Sequence, residues 1–237
     1  MQEMQYDYDD VMAEVEDILD YFINKNGILD TTDGDVFDEL DALLDQYDDA
    51  YALYLTAYII IKYLLMTATN VQSEDIALYI NNLLTDMCQW ANDFKPRESD
   101  YVFDILIKDV EDDQDFFVMN LLMRDFDGPG YREIMVDCLY DQIDLIEEAC
   151  DDDEVIESPW MLYMLMLIDE DDLREFVSDH FNFIECRLKC ASLMIEDGDY
   201  ESARTIINEC DDYCLSKEAN HELFKLKTEY ARHYRKH

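Results

Sequence analysis

The chain has 237 residues, 49% hydrophobic and 13% aromatic, and 59 acids against 17 Lys and Arg give it a net charge of −42. Highly charged disordered chains are poor in aromatic and large aliphatic residues, so 17 Tyr, 12 Met and 11 Phe exclude disorder and argue against a halophilic adaptation. The charge is one-sided: residues 1–180 hold 48 acids against 8 bases, a net of −40, whereas residues 181–237 hold 11 and 9, a net of −2.

Only 5 Gly and 3 Pro punctuate the chain, and apolar residues recur at three- and four-residue steps, so long helices are expected throughout. Val11, Val15, Ile18 and Phe22 mark the stripe of a first helix ending at Asn26-Gly27. Phe37, Leu40, Leu43, Leu44 and Tyr47 mark a second. The most apolar run, Leu53 to Met66, is too short to span a bilayer and is interrupted by Lys62, so a buried helix is expected over 51–66. Ile76, Tyr79, Ile80, Leu83, Leu84, Met87 and Trp90 form the next stripe, behind a Ser73 cap. Asp93-Phe-Lys-Pro96 breaks the pattern, Ser99 can cap the following helix, and Asp125-Phe-Asp-Gly-Pro-Gly130 is the strongest turn signal. A helix from Tyr131 to Cys150 then runs into Asp151–Glu154, and Ser158-Pro159-Trp160 opens another with Ser at the cap and Pro in the first turn.

Near the end, Ala191 and Ala203 flank Gly198-Asp199-Tyr200, where small residues let two antiparallel helices approach closely. The segment 187–210 resembles a tetratricopeptide-type hairpin. The expected fold is all-α, roughly a dozen helices in stacked antiparallel hairpins. It comprises a strongly acidic region (1–128), an acidic continuation (129–180) and a near-neutral hairpin with a terminal helix (181–237). Read together, Ile18–Asp30, the Trp90 segment leading to Tyr101-Val-Phe-Asp-Ile-Leu106, the Trp160 helix and Gly198–Ala203 resemble the helical C-terminal region of bacterial SWIM zinc-finger proteins. That family's finger pairs Cys-x-Cys with Cys-x-His, and neither pairing occurs here. The resemblance therefore implies an α-helical accessory domain without the nucleic-acid-binding finger.

Sites of chemistry are scarce. Cys186 and Cys190, and Cys210 and Cys214, are each four apart on one helical face, and a hairpin folded about residue 200 sets Cys186 opposite Cys214 and Cys190 opposite Cys210. Core packing, two disulfides and a four-cysteine zinc site all fit this spacing, with core packing favoured because the acidic N-terminus carries no secretory signal and a reducing cytoplasm is expected. The loop Asp30–Asp35 fails the calcium-loop pattern, with Gly34 fifth rather than sixth and Asp41 where Glu is needed. No phosphate loop, nucleophile elbow or Cys/His dyad is readable, and paired carboxylates are too common to single out an acid and base, so neither an enzyme nor a cofactor is expected.

The charge remains as the functional signal. Residues 1–61 hold 17 acids and a single base, Lys25. Asp7, Asp9, Asp10, Glu14, Asp17 and Asp20, with Asp33, Asp35, Asp38, Glu39, Asp41, Asp45, Asp48 and Asp49, are the candidate partner-binding residues. Helices studded with carboxylates at this density imitate phosphate rows, so the expected role is a non-enzymatic nucleic-acid mimic. It would occupy the basic surface of a nucleic-acid-binding protein, as an anti-restriction or anti-CRISPR inhibitor does, without binding nucleic acid or membrane itself. The alternative is a helical-repeat scaffold that binds a partner through a groove near Tyr200, Tyr213 and Phe224, with the acidity a solvated exterior.

Overall fold

The computed structural model describes residues 6–23, 28–29, 31, 35–68, 74–113, 116–150, 155–213 and 215–234. Among these the fold is all-α, with twelve helices and no strand. The helices are α1 (Tyr8–Phe22), α2 (Asp35–Leu44), α3 (Ala50–Ala68), α4 (Glu74–Ala91), α5 (Pro96–Asp113), α6 (Phe116–Asp125), α7 (Pro129–Ala149), α8 (Pro159–Leu167), α9 (Leu173–Asp179), α10 (Ile184–Asp197), α11 (Tyr200–Cys210) and α12 (Lys217–Tyr234). They form two compact units, the first comprising Met1–Lys108 with Asn120–Asp127, the second Asp109–Met119 with Gly128–His237.

The first unit is built around α3, which packs against α1, α2 and α4. Residues 54–61 of α3 are buried on every side, including Tyr54, Leu55, Tyr58, Ile59 and Ile60. It is the one helix among the described residues long and apolar enough to cross a membrane by length and composition, and most of it is enclosed by protein. α1 presents Val11, Val15 and Leu19 to this core, and α2 presents Val36, Leu40, Leu43 and Leu44. Polar ties accompany the apolar packing. The Tyr6 and Thr56 hydroxyls lie 3.0 Å apart in a buried hydrogen bond. The Tyr54 hydroxyl donates to Asp125 Oδ2 at 2.7 Å, and the Arg124 guanidinium donates to both oxygens of the same carboxylate and, at 3.1 Å, to the Leu84 carbonyl of α4. The Asp125 side chain is only 1% exposed.

In the second unit, α7 starts at Pro129 behind Gly128, two residues ahead of the expected Tyr131 and inside the turn signal, because Pro suits the first helical turn, and the Arg132 guanidinium donates to the Leu167 carbonyl at the end of α8 at 2.7 Å. The segment ahead of α8 is stitched to the start of α10. The Ile156 N–H donates to the Asn182 carbonyl, the Ile184 N–H donates to the Ile156 carbonyl, and the Ser158 N–H donates to Glu185 Oε1 at 3.0 Å. α10 and α11 form the expected hairpin: Gly198 takes a left-handed φ of 82°, which an L side chain adopts only with strain, and Ala191 and Ala203 are both fully buried. α12 packs on both helices, adding Ala219, Leu223 and Leu226 to the shared core.

Several local expectations are corrected. Leu19 rather than Ile18 completes the buried stripe of α1, and Ile18 and Phe22 lie half-buried at its edge. Tyr47 follows α2 and packs its ring at a tilt against Tyr6, ring centroids 5.5 Å apart. The fifth helix begins at Pro96, not after Ser99, because the Glu98 carboxylate accepts from the Lys95 N–H and ammonium and closes the first turn. Ser158 occupies the N-cap position of α8 without making a side-chain cap; its hydroxyl is buried and unpartnered among the described residues. Asn26-Gly27 and Ser73 lie outside the described residues.

Two stability predictions follow from these ties. Tyr54→Phe removes a donor from the enclosed Asp125 carboxylate and should cost about 1–3 kcal/mol, read as a lowered urea midpoint at unchanged slope. Burial, with the Glu157 charge as a smaller contribution, pushes the Glu185 carboxyl up to about 7, against two backbone N–H groups that lower it. The folded state thus holds this proton more tightly than the unfolded chain. Stability from this group is present below pH ~4.5 and is lost as pH rises to about 7, by about 3 kcal/mol at most. Glu185→Gln should therefore gain on the parent between pH 5 and pH 8 in paired thermal melts; a constant difference would remove Glu185 as the titrating group.

Candidate functional site: the acidic face of the first unit

Every described candidate carboxylate is exposed: Asp7, Asp9, Asp10, Glu14, Asp17 and Asp20 on or capping α1, Asp35, Asp38, Glu39 and Asp41 on α2, and Asp45, Asp48 and Asp49 in the turn leading to α3. Asp33 lies outside the described residues, as do most of the residues of the Asp30–Asp35 loop. None of the thirteen makes an ion pair among the described residues. Two have local work. Asp7 caps α1 by accepting the Asp10 N–H at 3.2 Å, and Asp41 accepts the Tyr79 hydroxyl of α4 at 2.8 Å.

The others are phased by the helix. Because the stripe Val11, Val15, Leu19 faces inward, Asp10, Glu14 and Asp17 fall in one line on the outer side, and Asp9, Glu16 and Asp20 fall in a second beside it. At 1.5 Å rise per residue, these six span about 16 Å, roughly one carboxylate per 3 Å of axis over the two lines together, about half the density of a duplex with its one phosphate per ~1.7 Å counting both strands. On α2, Asp38 and Asp41 share the outer side, and Asp45 continues it, its N–H donating to the Asp41 carbonyl as in a further helical turn.

The resulting negative potential registers on neighbouring phenols. Tyr47 is raised above the ordinary tyrosine range by burial and then by the charges of Glu14 and Asp10, Tyr63 by burial and then Glu16, and Tyr101 by burial and then Asp7. Between α1 and α2 the surface dips into a notch of about 270 Å³ lined by Glu14, Asp17 and Glu39 together with Ile18, Tyr21 and Phe22. Tyr21 is 83% exposed and meets the Phe22 ring edge-to-face at 5.1 Å. Carboxylates around aromatic rings suit an arginine or lysine side chain, which gains both charge pairing and ring contact. The aromatic part of this notch escapes a search for charge, yet it had a legible sign. Tyr21 lies four residues beyond Asp17 and seven beyond Glu14, in phase with the acidic line rather than with the core.

Cys186, Cys190 and Cys210 are free thiols, and Cys214 lies outside the described residues. Cys190 and Cys210 belong to the hairpin core, whereas Cys186 faces Met161 of α8 at 3.4 Å between sulfurs. Burial pushes Cys186 up to about 12 and Cys210 up to about 11, which disfavours the thiolate that metal binding needs. Of the residues named for a scaffold groove, Tyr200 packs on Tyr230 and His233, Tyr213 lies under the Arg187 guanidinium, and Phe224 is 68% exposed. The groove of this region is lined by other residues, from α8, α10 and α12.

No protein-family model matches the chain, and neither a curated protein nor a solved structure resembles it significantly.

Like charges three and four residues apart repel within a helix. Replacing Asp10, Glu14 and Asp17 together by Asn, Gln and Asn should therefore raise the melting temperature by a few degrees at low salt, with the gain shrinking in about 0.5 M salt. A loss of stability would show that these carboxylates hold the fold.

Proposed function

We propose that this chain is a non-enzymatic acidic binding protein that acts in the cytoplasm as a nucleic-acid mimic, occupying the basic nucleic-acid-binding surface of a partner protein. The observation that carries this reading is the state of the α1 and α2 carboxylates: exposed, unneutralised by internal bases, and set in rows along the outer side, two of them on α1 with together about half the axial charge density of a duplex. A fold that only needed solubility would be served by a few net charges of mixed sign. The notch at Glu14, Asp17, Glu39 and Tyr21 supports the reading further, since it offers an anchoring point for one basic side chain at the centre of the acidic face. Long-range attraction would speed encounter with a strongly basic channel, and the carboxylates of α1 and α2, with no base among them, would repel nucleic acid itself.

Competition tests it. Basic proteins captured on the immobilised chain at about 50 mM salt are challenged with a short DNA duplex and re-measured at about 200 mM salt. The duplex should displace the partner, affinity should fall at least tenfold across that salt range, and the variant Asp10→Lys/Glu14→Lys/Asp17→Lys should lose binding by a similar factor at unchanged helix content. A partner that stays bound under duplex and salt, or that binds the charge-reversed variant equally, overturns the proposal.

A further inference from the structure

The second unit contains a feature unrelated to the acidic face. A groove of about 610 Å³ lies between α8, α10 and α12, within the size range of small-molecule sites. Its walls are mainly apolar, formed by Leu162, Leu165 and Met166 of α8, Leu188 of α10 and Leu226 of α12. Leu162 and Met166 are 45% and 67% exposed, although α8 otherwise buries Trp160, Met161, Met164 and Leu167. Solvent-facing apolar area at the mouth of a formed groove is the pattern of a surface that a ligand covers.

One carboxylate lines this groove in an unfinished state. Glu185 is 6% exposed; its Oε1 accepts the Ser158 N–H, and its Oε2 is buried with no hydrogen-bond partner among the described residues. The Ser158 hydroxyl is likewise buried and unpartnered. A buried acceptor without a donor is costly, so what Oε2 lacks is an N–H or O–H group. The surrounding charge says which. Glu157, Glu218 and Glu222 line the groove with Glu185, against Lys189 and His221. Glu157 already accepts the Ser216 N–H at 3.0 Å, and Glu222 pairs with Lys225. Four carboxylates facing one lysine and one histidine favour a cation and repel an anion.

We propose that the groove binds a small amphiphile with an apolar body and a cationic amine head, the amine donating to Glu185 Oε2 and the body lying along Leu162, Met166, Leu188 and Leu226. Glu185 is then a specificity determinant for the head group and the leucine-lined walls supply the bulk of the contact. Because burial holds the Glu185 carboxyl near neutrality, both charge states are within reach at cellular pH, and an arriving ammonium favours the ionised one.

The inference is independent of nucleic-acid mimicry and is tested separately, by isothermal titration with decylammonium, decanol and decanoate in about 0.3 M salt, which screens exposed surface charge. Decylammonium should bind at least tenfold more tightly than decanol, and decanoate should not bind detectably. Glu185→Gln should bring decylammonium down to the decanol level and leave decanol unchanged. Glu196→Gln, an exposed change on the same helix, should alter neither. Met166→Lys, at an exposed position that tolerates the substitution, should weaken decylammonium at least tenfold. Equal binding of amine and alcohol, retained discrimination in Glu185→Gln, equal loss in Glu196→Gln, or no binding of any probe overturns the proposal.

Discussion

Burial of α3 is the constraint on which the first unit depends. A chain carrying −40 in its first 180 residues can fold only if some element contributes apolar burial without adding charge, and α3 does this. Its nineteen residues include no acid and one base, Lys62, and Tyr54, Leu55, Tyr58, Ile59, Ile60, Ile61 and Leu64 are fully enclosed. At about 1.5–3 kcal/mol for each fully buried large side chain, this one helix offsets a repulsion of a few tenths of a kcal/mol per adjacent like-charge pair on the helices around it. The neighbours then need only one apolar stripe each, which leaves their outer faces free to be acidic. Neutral centre and charged exterior are two sides of one arrangement.

Two enclosed carboxylates depart from it, and the contrast between them is informative. Asp125 is surrounded by donors, with the Tyr54 hydroxyl on one side and the Arg124 guanidinium on the other, and Arg124 carries the link on to α4. That network is complete, and a completed buried network ties elements together. Glu185 has one backbone donor and one idle oxygen beside an idle serine hydroxyl. Both groups are deeply buried acids in an acid-rich chain, yet only the second leaves hydrogen-bonding capacity unused at the wall of a groove.

What could be read from the residues and what could not divides along the same physical lines. The all-α class, the enclosed helix over 51–66 and the Gly198 hairpin follow from local rules of periodicity, turn chemistry and the left-handed preference of glycine. The exposure of the α1 and α2 acids followed from the same periodicity. The edge of the α1 stripe did not, because Ile18, Leu19 and Phe22 all fit a helical repeat, and the packing of α1 on α3 decides which of them is enclosed. Glu185 was illegible for a different reason. Among 59 carboxylates nothing in the chain marks the one that a hairpin folds against the start of α8.

The unneutralised state of α1 and α2 is the strongest reason to look outside the chain for their partner. A Lys four residues after Asp10 would convert the repulsive Asp10/Glu14 pair into an attractive one, and a Lys four residues after Asp17, in place of Tyr21, would add an attractive pair on the same helix face. Such changes are conservative in size and exposure, and they cost the core nothing because Glu14 and Tyr21 contribute nothing to it. Elsewhere the chain does use its bases in this way: Lys95 pairs with Glu98, Arg174 with Asp197, and Lys225 with Glu222. Internal neutralisation is therefore within this fold's repertoire and is withheld from the face where carboxylates are most dense. Under the proposed function, a basic surface from another molecule would supply the missing charges without giving up that density, and this would connect the core helix, the stripes around it and the aromatic notch between them.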